Sequence, residues 1–256
     1  GFHLNGKSMK LKGGCIHHDN GPLGAKAFDR AEERKIELLK AAGFNALRLS
    51  HNPPSTALLN ACDRLGMLVI DEAFDMWRQG HYKDDYGQYF DKLWKEDLYS
   101  MVARDRNHPC VIMWSIGNEV DYPNDPYSHP ILDGSTINQP MFGGYKPDAP
   151  DAMRIGKIAK RLAACVRAVD TSRPVTGALA GVVMSNQTEY PEAIDVVGYN
   201  YTENRYDEDH ATYPNRVIYG SENGSGLEAW YAVKDKEFIF GQFIWTGTDY
   251  LGESGA

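Results

Sequence analysis

Two stretches of this 256-residue chain end on a glutamate in a setting that suits proton transfer and nucleophilic attack. Val111 to Glu119, Val-Ile-Met-Trp-Ser-Ile-Gly-Asn-Glu, is an apolar segment that runs straight into Asn118-Glu119. Val217 to Glu222, Val-Ile-Tyr-Gly-Ser-Glu, closes in the same way. A carboxylate at the rim of an apolar strand has its charged form disfavoured, which raises its pKa and suits it to donate a proton. Two such groups facing each other are what cleavage of a glycosidic bond needs. One protonates the leaving oxygen; the other attacks the anomeric carbon or activates water. The plainer reading is that each glutamate caps a neighbouring helix or pairs with Arg48.

The elements that would carry these residues alternate along the chain. Apolar, strand-length runs fall at Leu11–Ile16, Asn45–Leu49, Met67–Ile70, Val111–Ile116, Val175–Leu179, Val196–Tyr199, Val217–Tyr219 and Phe238–Ile244. Between them, helical spacing appears in Ile36, Leu39 and Ala42, in Leu58, Ala61, Cys62 and Leu65, in Phe90 to Met101, and in Ile155 to Val169. Asp29 with Glu32, and Ser55, stand where helix caps belong, and Gly43 and Gly66 where helices stop. Eight buried strands with amphipathic helices between them predict a parallel sheet, either a closed (β/α)₈ barrel or an open doubly wound sheet. The count of eight favours the barrel. So does His17-His18-Asp19 after the first strand, where a phosphate-binding sheet would carry a glycine-rich turn. The eighth helix is expected to be truncated or missing, and residues 121–151 read as a long functional loop on the carboxyl face.

In a barrel, polar residues at the carboxyl ends of strands point at the substrate. Those ends supply His18 and Asp19, Arg48 and His51, Asp71, Glu72 and Asp75, Asn118 and Glu119, Asn200 and Tyr201, Glu222, then Trp245 and Asp249. Trp77 has a similar address. The cup lacks a well-placed Ser-His pair or a reactive cysteine.

These stretches resemble the catalytic barrel of glycoside hydrolase family 2, above all its bacterial β-galactosidase branch. The resemblance is carried by residues 4–7, LNGK; 45–51, NALRLSH; 62–72, CDRLGMLVIDE; 114–119, WSIGNE; 198–201, GYNY; 220–222, GSE; and 241–247, GQFIWTG. It spans nearly the whole chain in order and implies a TIM barrel with a retaining mechanism. By that resemblance Glu119 is the acid/base and Glu222 the nucleophile, Asn118 bonds the sugar's 2-hydroxyl, and Tyr201 holds the nucleophile's oxygen. His18, Arg48 and His51 line the sugar subsite with Asp75 and Asn200, and Trp245 forms a stacking wall. The family's magnesium ligands shortly after the third strand have no counterpart in Ala73-Phe74-Asp75-Met76-Trp77, so no metal and no cofactor is expected. The resemblance also implies that residues 1–256 are one catalytic domain of a longer enzyme, on which N-terminal β-sandwich domains pack. The substrate is then a terminal β-galactoside, with β-glucuronides or β-mannosides as alternatives within the family and a non-catalytic sugar-binding fragment as an alternative outside it.

Composition restricts the remaining choices. Twenty-seven Lys and Arg against 35 Asp and Glu give a net charge of −8, with no run of basic residues to meet a polyanion, so a nucleic-acid partner is not expected. No apolar run reaches the roughly 20 residues of a membrane helix. The stretch GFHLNGKSMK lacks the pattern of a secretory signal, and a periplasmic or secreted location is expected only if the protein degrades glycans in a bacterium. Cys15, Cys62, Cys110 and Cys165 share no ligand spacing and read as buried free thiols. A metal-dependent hydrolase built on His17, His18, Asp19 and His51 is disfavoured, because adjacent strand residues point to opposite faces.

Overall fold

The computed structural model describes residues 1–80, 82–122, 127–133 and 144–248. The chain opens with a hairpin, β1 (Phe2–Leu4) and β2 (Lys7–Met9). Its turn residues Asn5 and Gly6 take φ of 52° and 76°, a left-handed backbone that Asn and Gly tolerate well. Eight parallel strands follow: β3 (Leu11–Ile16), β4 (Ala46–Leu49), β5 (Leu68–Glu72), β6 (Val111–Asn118), β7 (Val175–Leu179), β8 (Val196–Asn200), β9 (Ile218–Asn223) and β10 (Ile239–Thr248). Each pairs with the next, and β10 pairs back onto β3, so the sheet closes. The open-sheet alternative is thereby excluded.

The strands are apolar because both of their faces are buried. Leu11, Cys15, Ala46, Ile70, Met113, Tyr219 and Phe243 fill the lumen. The intervening residues, among them Leu47, Leu49, Val69, Trp114 and Ile116, pack outward against the helices. Gly13 leaves the room Phe243 occupies, since a β-carbon there would stand 2.2 Å from the ring. Above this plug the inward residues turn polar, which is how the fold sets a reactive floor on an apolar base.

Helices α1 (Asp29–Ala41), α2 (Thr56–Leu65), α3 (Gly87–Asp105) and α4 (Met153–Val169) follow β3 to β6 in turn. The Ser55 hydroxyl accepts the Leu58 amide at 3.1 Å, and Gly66 ends α2 in the left-handed region. Asp29 does not cap α1, which begins on Asp29 itself with Phe28 at the cap position. Glu32 is drawn inward instead, accepting from Asn20 at 2.8 Å and pairing with Lys35. Short helices α5 (Val182–Ser185) and α6 (Tyr190–Ala193) link β7 to β8, while α7 (Tyr206–Thr212) and α8 (Leu227–Lys234) precede β9 and β10. Among the described residues no helix follows β10, and none is long and apolar enough to cross a membrane. Cys15, Cys62 and Cys110 are buried thiols, and Cys165 is half-buried.

The loop after β6 is pinned at its start. Asp121, fully buried, accepts the Ala180 and Gly181 amides and the Ser185 hydroxyl at 2.9, 3.0 and 2.6 Å. Ser128 then bridges to Asp151 just ahead of α4. Residues 123–126 and 134–143 of this loop, and Asp249, lie outside the described residues.

Candidate active site

Arg48 is the hub of the carboxyl-end cup. It sits on the inward face of β4 with no exposed surface. Its Nε and Nη2 donate to the two oxygens of Glu72, both at 3.0 Å. Nη1 donates to Glu222 Oε2 at 2.9 Å and to the Ser221 carbonyl at 3.2 Å, and Nη2 also reaches Asn118 Oδ1 at 2.7 Å. Burial opposes charge on Glu72, yet the Arg48 guanidinium, His51 and the Ser115 hydroxyl outweigh it, and the carboxyl is held below its ordinary range. Arg48, expected from its strand-end address to line the sugar subsite, is therefore fully buried with these protein partners. Its donors are spent beneath the pocket, holding side chains of β5, β6 and β9 in one cluster.

Asn200 is also drawn into the floor, only 2% exposed. The Ser221 hydroxyl donates to its Oδ1 at 2.6 Å, which aims the amide nitrogen at the carboxylates. That nitrogen lies within bonding distance of Glu119 Oε1 at 3.0 Å, Glu222 Oε2 at 3.2 Å and Asn118 Oδ1 at 3.1 Å, so its two hydrogens are shared among three acceptors. One nitrogen thus bridges the two glutamates, and their bonded oxygens can be no farther apart than those two bonds laid end to end. Glu222 takes a further bond from the Tyr201 hydroxyl at 2.7 Å. Asn118 donates one amide hydrogen to Asp75 at 3.1 Å and keeps a second for another acceptor.

The glutamates share a strand-end address but not an environment. Among the described residues Asn200 is the one side chain that donates to Glu119, whose pKa is pushed up to about 7, first by burial and then by the neighbouring Glu222 charge. Three side chains donate to Glu222. Glu119 and Tyr201 also take left-handed backbones, with φ of 45° and 51°. For non-glycine residues such conformations cost about 1–3 kcal/mol and cluster at functional sites. The Glu119 amide bonds the Ala178 carbonyl and the Tyr201 amide bonds the Glu222 carbonyl, each at 2.8 Å, so neighbouring strands hold both turns in place.

One wall is aromatic. His51 stacks parallel on Trp245 at 5.4 Å, and His17 meets the same indole edge-on at 4.9 Å. His51 Nδ1 is 2.7 Å from Glu72 Oε1, which fixes its ring. The ring packed into this wall is that of His17, whereas His18 stands half-buried one residue along the rim. Inward parity, set by Leu11 and Cys15 on β3, was the available signal for His17. Trp77 is no sugar platform: it is 1% exposed and its indole nitrogen donates to the Ile116 carbonyl. Glu72 was visible among the strand ends, but its partnership with Arg48 was not.

Among the described residues, one trio has donor atoms close enough for a metal: Asp63, His108 and Cys110, outside this cup. Asp63 already bonds the His108 ring at 2.6 Å and the Cys110 amide at 2.9 Å, and burial raises the Cys110 thiol far above its ordinary pKa. The trio is thus closed by its own hydrogen bonds.

A closed parallel barrel with two glutamates converging at its carboxyl end places the chain among the barrel glycoside hydrolases. Residues 1–249 match the family model for glycosyl hydrolases family 2, TIM barrel domain, and the chain belongs to that family. It is 34% identical to the β-galactosidase BoGH2A of Bacteroides ovatus, over 99% of this chain and 36% of that protein. It is 30% identical to a putative β-glucuronidase of Formosa agariphila, over 100% of this chain and 27% of that one. A family 2 crystal structure from Bacteroides cellulosilyticus superposes with a TM-score of 0.82 at 58% identity, covering 96% of this chain and 28% of that one. The chain therefore spans about a third of the length of these relatives.

Proposed function

We propose that the barrel is the catalytic domain of a retaining exo-β-glycosidase acting on terminal β-galactosides. The observation that carries this reading is the single Asn200 nitrogen shared by Glu119 and Glu222. It keeps one oxygen of each carboxyl group within reach of a single nitrogen, a closeness that the roughly 5–5.5 Å separation of retaining enzymes requires. Glu119, protonated up to about pH 7, gives its proton to the glycosidic oxygen as that bond breaks. Glu222, held by Arg48, Asn200 and Tyr201, attacks the anomeric carbon and forms a covalent glycosyl-enzyme. Glu119, now deprotonated, takes a proton from water, and the resulting hydroxide equivalent releases the sugar. The free Asn118 amide hydrogen suits the 2-hydroxyl, a contact that strengthens in an oxocarbenium-like transition state. Trp245 and His51 offer a flat wall to the pyranose.

The galactoside preference is supported by the identity to BoGH2A, and the barrel is taken to be one domain of a longer chain because the relatives are about three times its length. The test is the pair Glu119→Ala and Glu222→Ala, assayed with an activated aryl β-galactoside plus azide. Loss of the acid/base should give a β-azide and loss of the nucleophile an α-azide. Unchanged turnover in either variant removes that residue from the mechanism. A panel of aryl β-glycosides fixes the sugar, since cleavage of glucuronide or mannoside but not galactoside reassigns it. Sugar binding without turnover, both glutamates intact, would favour a binding module.

A further inference from the structure

A second concavity lies where the loops after β5 and β6 meet the first half of α4, with a volume of about 540 Å³ and a lining that includes Arg78, Tyr127, Arg154, Lys157, Ile158 and Arg161. That size is within the ordinary range of small-molecule sites. Arg78 follows β5 by a few residues, and Tyr127 lies in the loop after Glu119. Arg154, Lys157 and Arg161 recur at i, i+3 and i+7, one stripe on the first half of α4. The helix begins at this hollow, so its positive N-terminal end adds to their field. The chain as a whole is acidic, yet the described lining carries four cations and no carboxylate.

Those cations are available to a ligand. Among the described residues, no carboxylate forms an ion pair with Arg154, Lys157 or Arg161. Arg78 pairs with Asp91 at 3.0 Å, but both side chains are about three-fifths exposed, at 59% and 61%, and such a pair is easily exchanged. Tyr127 is only 2% exposed, and burial pushes its hydroxyl up in pKa while the Arg154 and Arg78 charges pull it back against a smaller upward push from Asp91. Both guanidinium groups therefore act on the floor of the hollow. The sequence alone suggested no basic cluster, because the four residues lie on two segments 76 positions apart and meet only in the fold.

We propose that this hollow binds an anionic group, carboxylate or sulfate ester, on the leaving-group side of a glycan, so that the natural substrate is an acidic oligosaccharide. The inference builds on the proposed glycosidase. Glu119 protonates the leaving oxygen, so the departing part of the glycan lies on the side of β6, whose following loop carries Tyr127 and leads into α4.

The test uses the full chain and three oligosaccharides: trigalacturonate for carboxylates, a sulfated chondroitin oligosaccharide for sulfates, and neutral galactotriose. The variant is Lys157→Glu with Arg161→Glu, two exposed positions whose fold is checked by circular dichroism. By calorimetry, one or both acidic ligands should bind about tenfold more tightly than the neutral one, an advantage lost in about 0.5 M salt and in the variant. Which acidic ligand binds tells carboxylate from sulfate. Turnover of a small aryl galactoside should be unchanged by the variant. Equal binding of acidic and neutral ligands, or acidic binding that survives the charge reversal, overturns the proposal. So does oligothymidylate bound as tightly as the acidic sugars, which would mark a generic polyanion surface. Because binding is read directly, an inactive chain would sink the glycosidase reading while leaving this one decided on its own data.

Discussion

Replacing Arg48 with methionine keeps the bulk of the side chain and removes a charge shared by Glu72 and Glu222. In the folded protein Arg48 meets both Glu72 oxygens at 3.0 Å and Glu222 at 2.9 Å, with no solvent to take its place. Removing one partner of a buried ion pair costs about 3–5 kcal/mol, because the other charge stays buried and uncompensated. Here two carboxylates are stranded, so the upper end, about 5 kcal/mol, is expected. At roughly 2–4 °C per kcal/mol for a domain of this size, the melting temperature at pH 7 should fall by about 10–20 °C. The sign of the pH dependence follows from Glu72. In the native protein its pKa is depressed, so its stabilising contribution is present above the unfolded value of about 4.3 and fades as pH falls through the folded one. Without Arg48, burial dominates and raises the same carboxyl, so lowering the pH neutralises it and relieves the strain. The gap between native and variant melts should therefore be larger at pH 7 than at pH 5, and Glu72→Gln added to Arg48→Met should restore part of the loss. Melts that agree within about 2 °C at pH 7, or a gap that widens in acid, would refute the argument that Arg48 neutralises this cluster.

Four further outcomes follow from the same geometry. The Glu119 carboxyl titrates at about 7, so cleavage of glycosides with poor leaving groups should fall roughly tenfold per pH unit above that value, and Glu119→Gln should abolish that limb. Because the Glu222 charge is the second cause of that elevation, Glu222→Gln should lower the Glu119 pKa, read by carboxyl NMR titration. Tyr201→Phe removes a 2.7 Å bond to Glu222 from a residue 48% exposed, and should cut kcat/KM by about ten- to a hundredfold with an unchanged melt, since bonds to charged groups are worth about 1.5–3 kcal/mol. Gly13→Ala would drive a methyl into the Phe243 ring and should destabilise the barrel by about 1–3 kcal/mol in denaturant unfolding.

The strands could be read from sequence because both faces of each are buried, which leaves apolar runs such as Val111–Ile116 that no helix pattern explains. The two glutamates could be read because polarity appears abruptly where those runs end. What could not be read was direction below the rim. Arg48 and Asn200 share the strand-end address of true pocket residues, yet each has its donors consumed by partners from other strands, a property of the closed ring and not of any local window. The choice between His17 and His18 depended on strand parity, which Leu11 and Cys15 could have set. Asp29 failed as a cap because Glu32, its presumed partner, is held by Asn20 and Lys35, contacts that belong to the tertiary fold. The basic hollow escaped notice for the same reason: Arg78 and the α4 stripe are brought together only by the loops after β5 and β6.

The difference in role proposed for the two glutamates is then a matter of which neighbours each one meets. Both close apolar strands, and both bond the Asn200 nitrogen. Arg48 reaches across the lumen from β4 to β9 and touches Glu222, and Tyr201 bonds the same carboxyl; neither bonds Glu119, which among the described residues is met by Asn200. A negative charge is therefore compensated at one position and costly at the other, and the uncompensated carboxyl keeps its proton to a higher pH. The backbone differs too, since Glu119 leaves β6 in a left-handed conformation with φ of 45°. Had the same two residues met Arg48 in the opposite order, the roles proposed for them, acid and nucleophile, would exchange without any change in the barrel.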